Sequence, residues 1–373
     1  MRIGIDATAV GAEPSTGMGV YGFNLVRNLI EIDNWNQYVI YCRHTVHDQF
    51  KGVGERITFK VSPINNRKVA EQFWLPVTTI GDRLDVFHGL CGLPRFAPKT
   101  SVLTIHGLSW RIMPEVFTRT QRLYWVHCAE GMMRTAKRLI AVSRWTRNLM
   151  HERFGIPAER IDVVHHGVNR NEFPHVGDAR VIADMRRRHN LPEQYILFVG
   201  SVLPVKNVPV LVEAYQQLIR DERFARLKLV IAGIKGWGYA EAEQAVRDRG
   251  LNDRVMFTGK FPANDLPTLY SAAELFVLPS KYEGFGMPLI EAFSCGVPVV
   301  STNASCLPEV AGDAAMLVEP GQAAPLCEAM AGVLSNAARR RAMIEAGYAR
   351  AEEFTWRKTA EKTLRTYEIA AAG

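Results

Sequence analysis

The chain has 373 residues, of which 47% are apolar and 22% are charged. This length is more than twice the ~150 residues of an average domain, so two domains of similar size are expected. The composition excludes a disordered or low-complexity chain, and no run approaches the ~18 apolar residues that span a bilayer. The amino terminus lacks the pattern of a secretory signal, which favours a cytoplasmic protein.

The net charge of +7 is confined to the first half of the sequence. Residues 1–180 carry 23 Lys and Arg against 16 Asp and Glu, whereas residues 181–373 carry 22 of each kind. Five basic residues cluster around a stretch with a helical pattern: Arg134, Lys137, Arg138, Arg144 and Arg147. The stretch is either a solvated helix face or a surface for anionic lipid headgroups at the inner face of the plasma membrane. No motif for nucleic-acid recognition accompanies the charge, so no nucleic acid is expected as a partner.

Short apolar segments alternate with helical patterns along both halves of the chain. Strands are predicted near residues 2–7, 38–41, 86–88, 102–105 and 138–142, and again near residues 195–199, 227–232, 255–257, 275–278 and 297–300. Such alternation predicts parallel sheets with helices on both faces. The fold class is therefore α/β, with two Rossmann-like, doubly wound domains. Because open α/β sheets bind ligands at the carboxyl ends of their strands, we expect a site in a cleft between these domains.

A glycine-rich segment follows the first predicted strand. Gly17-Met18-Gly19-Val20-Tyr21-Gly22 matches the dinucleotide-binding pattern G-x-G-x-x-G, which leaves an NAD(P)-dependent oxidoreductase as one alternative. However, nine residues separate the strand from the first glycine, and no acid that could bind a ribose follows the second strand. We interpret the segment as a flexible loop that brings the amide of Gly19 to a phosphate or to an acceptor.

His106 follows the strand at residues 102–105, which would place its imidazole at the edge of the cleft, although a structural role is the alternative. It has no partners for a nucleophilic triad. No DxD pair is present to chelate a divalent cation, and the six cysteines lack the paired spacing of a metal site. The sequence therefore predicts no metal.

A second glycine loop follows the first strand of the second half. It runs from Gly200 and Ser201 to Lys206 and leads into an apolar helix. Lys206 has the compact charge that neutralises a phosphate, whereas a solvated lysine at a helix start is the alternative.

The most specific segment of the sequence is Glu283-Gly284-Phe285-Gly286-Met287-Pro288-Leu289-Ile290-Glu291. Its glycines let the backbone approach a ligand, and Pro288 suits the first turn of a helix. The amino-terminal end of that helix favours an anion, so a diphosphate could lie on this turn with one acid on each side. The alternative is a glycine turn with two solvated acids.

Taken together, these motifs resemble those of the retaining glycosyltransferases of family 4, which have the two-domain GT-B fold. Glu283 and Glu291 match the E-x7-E motif of that family, and the Gly200 and Lys206 loop and His166-Gly167-Val168-Asn169 match further family motifs. The resemblance implies an acceptor-binding domain over residues 1–175, a nucleotide-sugar-binding domain over residues 190–355, and a C-terminal helix over residues 356–373 that packs back on the first domain. It also implies a metal-independent sugar transfer in which the nucleotide sugar is a substrate and no cofactor takes part.

The resemblance further assigns roles to single residues. Glu291 would bind the nucleotide ribose, Glu283 the transferred sugar, and the backbone at residues 285–287 the sugar and diphosphate. Lys206 and the amide of Gly19 would stabilise the leaving phosphate, and His106 would contact the donor sugar near the reacting carbon. The predicted donor-binding residues are Gly19, Gly200, Ser201, Lys206, Phe285, Gly286, Met287, Pro288 and Glu291, and the predicted catalytic residues are Lys206, Glu283 and His106.

Within this family, the overall pattern, including Gly233-Ile234-Lys235-Gly236-Trp237, is most similar to bacterial enzymes that transfer mannose from GDP-mannose to a lipid-linked O-antigen or a similar polysaccharide. Donors of glucose, N-acetylglucosamine or rhamnose are alternatives, because enzymes for these sugars share the same motifs. The expected acceptor is a glycan or a lipid-linked oligosaccharide. A non-catalytic sensor of nucleotide sugars is a further alternative.

Overall fold

The computed structural model describes residues 1–10, 17–43, 56–118 and 128–373. The chain forms two compact units. One unit comprises Met1–Gly167 together with Trp356–Gly373, and the other comprises Val168–Thr355.

The first unit is built on a parallel sheet of seven strands in the order β3-β2-β1-β4-β5-β6-β7. The strands are β1 (Arg2–Asp6), β2 (Gln37–Cys42), β3 (Ile57–Val61), β4 (Val86–Gly89), β5 (Ser101–Ile105), β6 (Arg138–Ala141) and β7 (Ile161–Val163). Its α-helices include Gly17–Ile32, Arg67–Val69, Leu75–Ile80, Ser109–Ile112, Arg144–Phe154 and Trp356–Ala372, and the π-helical turn Ala70–Trp74 joins the second to the third. The central strands are almost completely buried, as expected of a sheet covered on both faces.

The second unit repeats this plan with six parallel strands in the order β10-β9-β8-β11-β12-β13. The strands are β8 (Tyr195–Val199), β9 (Lys228–Ala232), β10 (Val255–Gly259), β11 (Leu275–Leu278), β12 (Val299–Thr302) and β13 (Ala315–Val318). Its α-helices are Ala179–His189, Val208–Leu218, Tyr239–Asp248, Leu266–Ser271, Met287–Ser294, Leu307–Ala311, Ala323–Leu334 and Ala337–Glu353. The expectation of two doubly wound α/β sheets is confirmed.

The C-terminal helix Trp356–Ala372 belongs to the first unit, where it packs against the helix Gly17–Ile32. A buried hydrogen-bond chain fixes it there: Nδ1 of His88 lies 2.6 Å from the hydroxyl of Tyr367, and Nε2 of His88 lies 2.8 Å from the hydroxyl of Thr104. Burial and the neighbouring His106 lower the pKa of His88 to about 3, so this imidazole is neutral. The expected return of the last helix to the first domain is therefore seen.

The basic stretch at residues 134–147 contains the strand that was predicted near residues 138–142, and a helix lies on each side of it. A helix ends at residue 135, and Arg138 opens β6, where its guanidinium forms two hydrogen bonds to Asp162 at 2.7 and 3.0 Å. Arg144 and Arg147 belong to the next helix, Arg144–Phe154. The basic residues are therefore distributed over three elements. None of the helices described is long and apolar enough to cross a membrane.

Candidate active site

The loops that follow β8 and β9 lie against each other with little space between their backbones. The amide of Gly200 donates to the carbonyl of Ala232 at 2.9 Å, and the amide of Val202 donates to the carbonyl of Ile234 at 3.0 Å. A Cβ atom on Gly233 would lie 1.9 Å from the carbonyl oxygen of Gly200, so only glycine fits there. These contacts fix the shape of the loop that ends in the short helical turn Pro204–Lys206.

Lys206 and Glu283, which are far apart in the sequence, meet in this unit. The ammonium of Lys206 lies 2.5 Å from Oε1 of Glu283, and both side chains are largely buried. The hydroxyl of Ser280 donates to the same carboxylate oxygen at 2.7 Å. Because a buried charge is stable only when it is paired and hydrogen-bonded, these contacts hold the two predicted catalytic groups in one place.

The backbone that carries Glu283 is held by the segment after β12. The amide of Glu283 donates to the hydroxyl of Ser305 at 2.9 Å, and the thiol of Cys306 donates to the carbonyl of Glu283 at 3.2 Å. The hydroxyl of Thr302 donates to the carbonyl of Ser280 at 2.6 Å. The sequence did not single out these four supporting residues, because single serine, threonine and cysteine side chains carry no motif that distinguishes them.

The helix Met287–Ser294 begins directly after Gly286, which has the left-handed conformation with φ 91°. A Cβ atom on Gly286 would lie 3.0 Å from a methyl group of Leu307, so both its conformation and its surroundings favour glycine. Pro288 stands in the first turn, as predicted. The side chain of Phe285 is buried against Phe354, at 5.5 Å between ring centroids, so this residue offers a ligand only its backbone.

Glu291 lies on the second turn of the same helix. Its Oε2 accepts a hydrogen bond of 2.8 Å from the hydroxyl of Tyr270, a residue that the sequence did not single out. Burial raises the pKa of Glu291 to about 7, although the hydrogen bond from Tyr270 opposes that shift. The carboxyl group therefore changes its charge near neutral pH.

Two of the predicted site residues, Gly19 and His106, belong to the first unit. Gly19 is the third residue of the helix Gly17–Ile32, so the expectation of a flexible loop at Gly17–Gly22 was wrong. Part of the stretch between the first strand and this helix, residues 11–16, lies outside the described residues.

His106 is packed among aromatic rings. It stacks on His166 at 5.4 Å and meets Tyr21 edge to face at 4.7 Å between ring centroids. Its Nε2 lies 2.8 Å from the carbonyl of Leu90, which can only accept, so the ring carries a proton on Nε2. Burial lowers the pKa of His106 to about 4, and the imidazole is therefore neutral at physiological pH. No group of three His, Cys, Asp or Glu side chains that could hold a metal ion occurs in the described parts of the chain.

Two family models match the chain, one on each half. The model for glycosyltransferase family 4 matches residues 15–172, and the model for glycosyl transferases group 1 matches residues 182–350. The chain belongs to the family 4 glycosyltransferases. Lys206, Glu283 and Glu291 all fall within the group 1 match.

This glycosyltransferase is similar in sequence to the O-antigen chain mannosyltransferase B of Escherichia coli. The two are 28% identical over 95% of this chain and 97% of the relative. Among solved structures, sucrose-phosphate synthase from Thermosynechococcus elongatus superposes with a TM-score of 0.79 at 22% identity, over the full length of both chains. WaaG, a glycosyltransferase involved in lipopolysaccharide biosynthesis, superposes with a TM-score of 0.78 at 17% identity, also over both full lengths. At these identities the structural likeness shows the GT-B fold.

Proposed function

We propose that this glycosyltransferase is a retaining, metal-independent mannosyltransferase. It would transfer mannose from GDP-mannose to a glycan or a lipid-linked acceptor in the synthesis of a cell-surface polysaccharide. The observation that carries the proposal is the buried ion pair of Lys206 and Glu283. In the proposal, the ammonium takes the phosphate and the carboxylate takes the sugar. The name of the E. coli relative supports mannose as the sugar and an O-antigen as the kind of product.

The chemistry of the proposal needs no nucleophile from the protein. The bond between the anomeric carbon and the diphosphate breaks, and its electron pair stays on the phosphate oxygen. The acceptor hydroxyl forms the new bond on the same face of the sugar, and its proton passes to the departing phosphate. Lys206 lowers the energy of the charge that develops on that phosphate, which is the kind of electrostatic stabilisation that contributes most in enzymes.

The remaining residues then position the donor. Glu283 accepts hydrogen bonds from the hydroxyls of the transferred sugar, while Glu291 accepts from the ribose hydroxyls of the nucleotide. The start of the helix Met287–Ser294 faces the diphosphate with its positive end. The proposed location is the cytoplasm, at the inner face of the plasma membrane.

The test is a donor panel with the purified full chain. GDP-mannose, UDP-glucose, UDP-N-acetylglucosamine and dTDP-rhamnose are each incubated with a polysaccharide acceptor, with and without EDTA. We expect mannose transfer with retained anomeric configuration by NMR, and no loss of rate in EDTA. Preference for another donor would reassign the sugar. Thermal stabilisation by NAD or NADP, but not by GDP or UDP, would instead support an oxidoreductase.

A point variant tests the role of Lys206. Lys206→Ala is expected to lower turnover by ~10²–10³-fold, the usual effect of removing one donor that stabilises an oxyanion. Lys281→Ala is a matched control, because Lys281 is exposed and contacts the site through its backbone amide, which donates to the carbonyl of Val205 at 2.8 Å. Equal turnover in the two variants would contradict the proposed role.

A further inference from the structure

One helical segment of the first unit has apolar side chains on both of its faces. The segment comprises Arg67–Val69, Ala70–Trp74 and Leu75–Ile80, which follow one another without a break. Its inner face is anchored in the unit: Leu75 is completely buried in the hydrophobic core, and Trp74 packs against the same core. The segment is therefore a fixed platform, and its outer face has a defined orientation.

The outer face carries large apolar side chains that are exposed. Phe73, Val77 and Ile80 are 70%, 72% and 81% exposed, and Val69 is also exposed. The spacing of four, four and three residues places them on one side of the helix, in a row about 16 Å long at ~1.5 Å per residue. Phe96, which is 73% exposed, belongs to a strand connection near the segment, because the amide of the preceding Arg95 donates to Gln72 in the segment at 3.0 Å. We call these five side chains the apolar ridge.

Single exposed hydrophobic residues are normal, but a contiguous group of this size marks an interaction site. The partner is indicated by the charges around the ridge. Four basic residues near it in the sequence are exposed: Lys68, Arg83, Arg95 and Lys99. Between residues 51 and 150, the sequence has 16 Lys and Arg against 6 Asp and Glu.

Two of the three acids near the ridge form ion pairs with other basic residues, so they do not offset the charge of these four. Glu71 forms an ion pair with Arg67 at 2.5 Å. Asp82 is buried and pairs with Lys60 at 2.5 Å, and Asp85 accepts a hydrogen bond of 2.6 Å from the amide of Arg2. The surface therefore combines an apolar row with a net positive surround.

We propose that the apolar ridge docks this glycosyltransferase on an anionic bilayer. The phenylalanine, valine and isoleucine side chains enter the boundary between headgroups and acyl chains, and the surrounding Lys and Arg contact lipid phosphates. A protein partner fits less well, because five side chains fall short of the roughly 20–30 residues that each side contributes to a specific protein interface. The inference rests on the proposed function in one respect: docking on the membrane would bring the enzyme to a lipid-linked acceptor. It replaces the stretch at residues 134–147 as the main membrane contact.

Vesicle binding by the full chain tests the proposal. Sedimentation is measured with phosphatidylcholine vesicles that contain or lack phosphatidylglycerol. The triple variant Phe73→Ser, Val77→Ser, Ile80→Ser is expected to bind anionic vesicles at least about tenfold more weakly, which corresponds to ~1.4 kcal/mol. The control is Trp35→Ser, which removes a side chain that is 89% exposed in the same unit but does not belong to the ridge, and it should bind as the wild type does. Replacing the four basic residues by Gln should weaken binding about fivefold per charge, only when phosphatidylglycerol is present.

Three outcomes would overturn the proposal. In the first, the triple variant binds anionic vesicles as tightly as the wild type. In the second, the wild type binds neutral and anionic vesicles equally. In the third, the wild type is a dimer and the triple variant is a monomer. The last outcome would assign the ridge to a second copy of the chain. Transfer to a lipid-free acceptor is measured in parallel and should be unchanged in the triple variant. Failure of that transfer in the wild type would count against the proposed function and leave the vesicle result valid.

Discussion

The buried pair of Lys206 and Glu283 offers the most direct test of the site. Replacing Lys206 by Met removes the charge but keeps most of the side-chain volume. Breaking a buried ion pair on one side costs ~3–5 kcal/mol, because the remaining charge is left without its partner. Ser280 still donates to the carboxylate at 2.7 Å, and such a bond to a charged group contributes ~1.5–3 kcal/mol. Because the wild type has the same Ser280 bond, that bond does not offset the loss, and we expect Lys206→Met to lower the free energy of unfolding by about 3–5 kcal/mol.

A double-mutant cycle measures the interaction energy between Lys206 and Glu283 separately from their contacts with other residues. Urea unfolding is followed by tryptophan fluorescence for the wild type, Lys206→Met, Glu283→Gln and the double variant. Because Glu283→Gln removes the charge that Lys206→Met leaves unpaired, the double variant should lose less stability than the two single losses added together. Additive losses, or no loss in Lys206→Met, would show that the two side chains are not paired in solution and would refute the geometry of the site.

Three further changes test other parts of the structure. Affinity for GDP, measured by calorimetry, should rise as the pH passes through about 7, because burial raises the pKa of Glu291 to that value and the ionised carboxylate is the form that accepts ribose hydroxyls. Glu291→Gln should bind more weakly and lose this dependence. The free energy of unfolding depends on pH in the opposite direction, because the folded state holds the Glu291 proton more tightly than the unfolded state does. The contribution of Glu291 to stability therefore falls as the pH rises from 4.5 to about 7. Glu291→Gln should melt at a higher temperature than the wild type at alkaline pH. Gly233→Ala should lower turnover at least about tenfold, roughly 1.4 kcal/mol of activation energy, because the added Cβ would lie 1.9 Å from the carbonyl oxygen of Gly200. Gly250→Ala is the control: its added Cβ would have no atom within 4 Å, so this variant should lower only stability. Tyr367→Phe removes the hydroxyl that lies 2.6 Å from His88 and should cost about 1 kcal/mol in urea unfolding; an unchanged midpoint would count against that contact.

The strands that the sequence missed are all edge strands, although one further edge strand, β10, was predicted. Central strands such as β5 and β11 are buried along their whole length, so they appear in the sequence as continuous apolar runs. The missed strands β3, β7 and β13 all lie at an edge of a sheet. Most of their residues are half-buried or exposed, and β7 has only three residues. Polar or charged side chains interrupt the apolar run in β3 and in β7, whereas nothing in the composition of β13, Ala315–Val318, separates it from the strands that were predicted.

In the candidate site, the sequence predicted the features that depend on neighbouring residues and missed the contacts between residues that are far apart in the chain. The turn at Gly286 and the helix start at Pro288 depend on backbone conformation within a few residues, and the sequence predicted both. The partners of the two acids come from other segments: Ser305 holds the amide of Glu283, and Tyr270 donates to Glu291. Nothing in the sequence spacing links these positions, because the fold alone brings them together. The helix that contains Gly19 was missed for a different reason, since glycines disfavour a helix and the pattern matched a loop motif.

Because Lys206 and Glu283 form an ion pair, the proposed role of Lys206 toward the phosphate and that of Glu283 toward the sugar depend on each other. The ammonium and the carboxylate neutralise each other at 2.5 Å, so under the proposed roles a diphosphate competes with Glu283 for the same cation. Once the phosphate holds Lys206, the carboxylate is free to accept from the sugar. Glu283→Gln should therefore bind GDP more tightly than the wild type, by about tenfold for each 1.4 kcal/mol of competition removed, while it transfers the donor sugar more slowly. Glu291→Gln should show weaker GDP binding in the same calorimetric assay. Equal or weaker binding of GDP by Glu283→Gln would mean that the carboxylate does not compete with the phosphate, and that Lys206 serves the fold and not the leaving group.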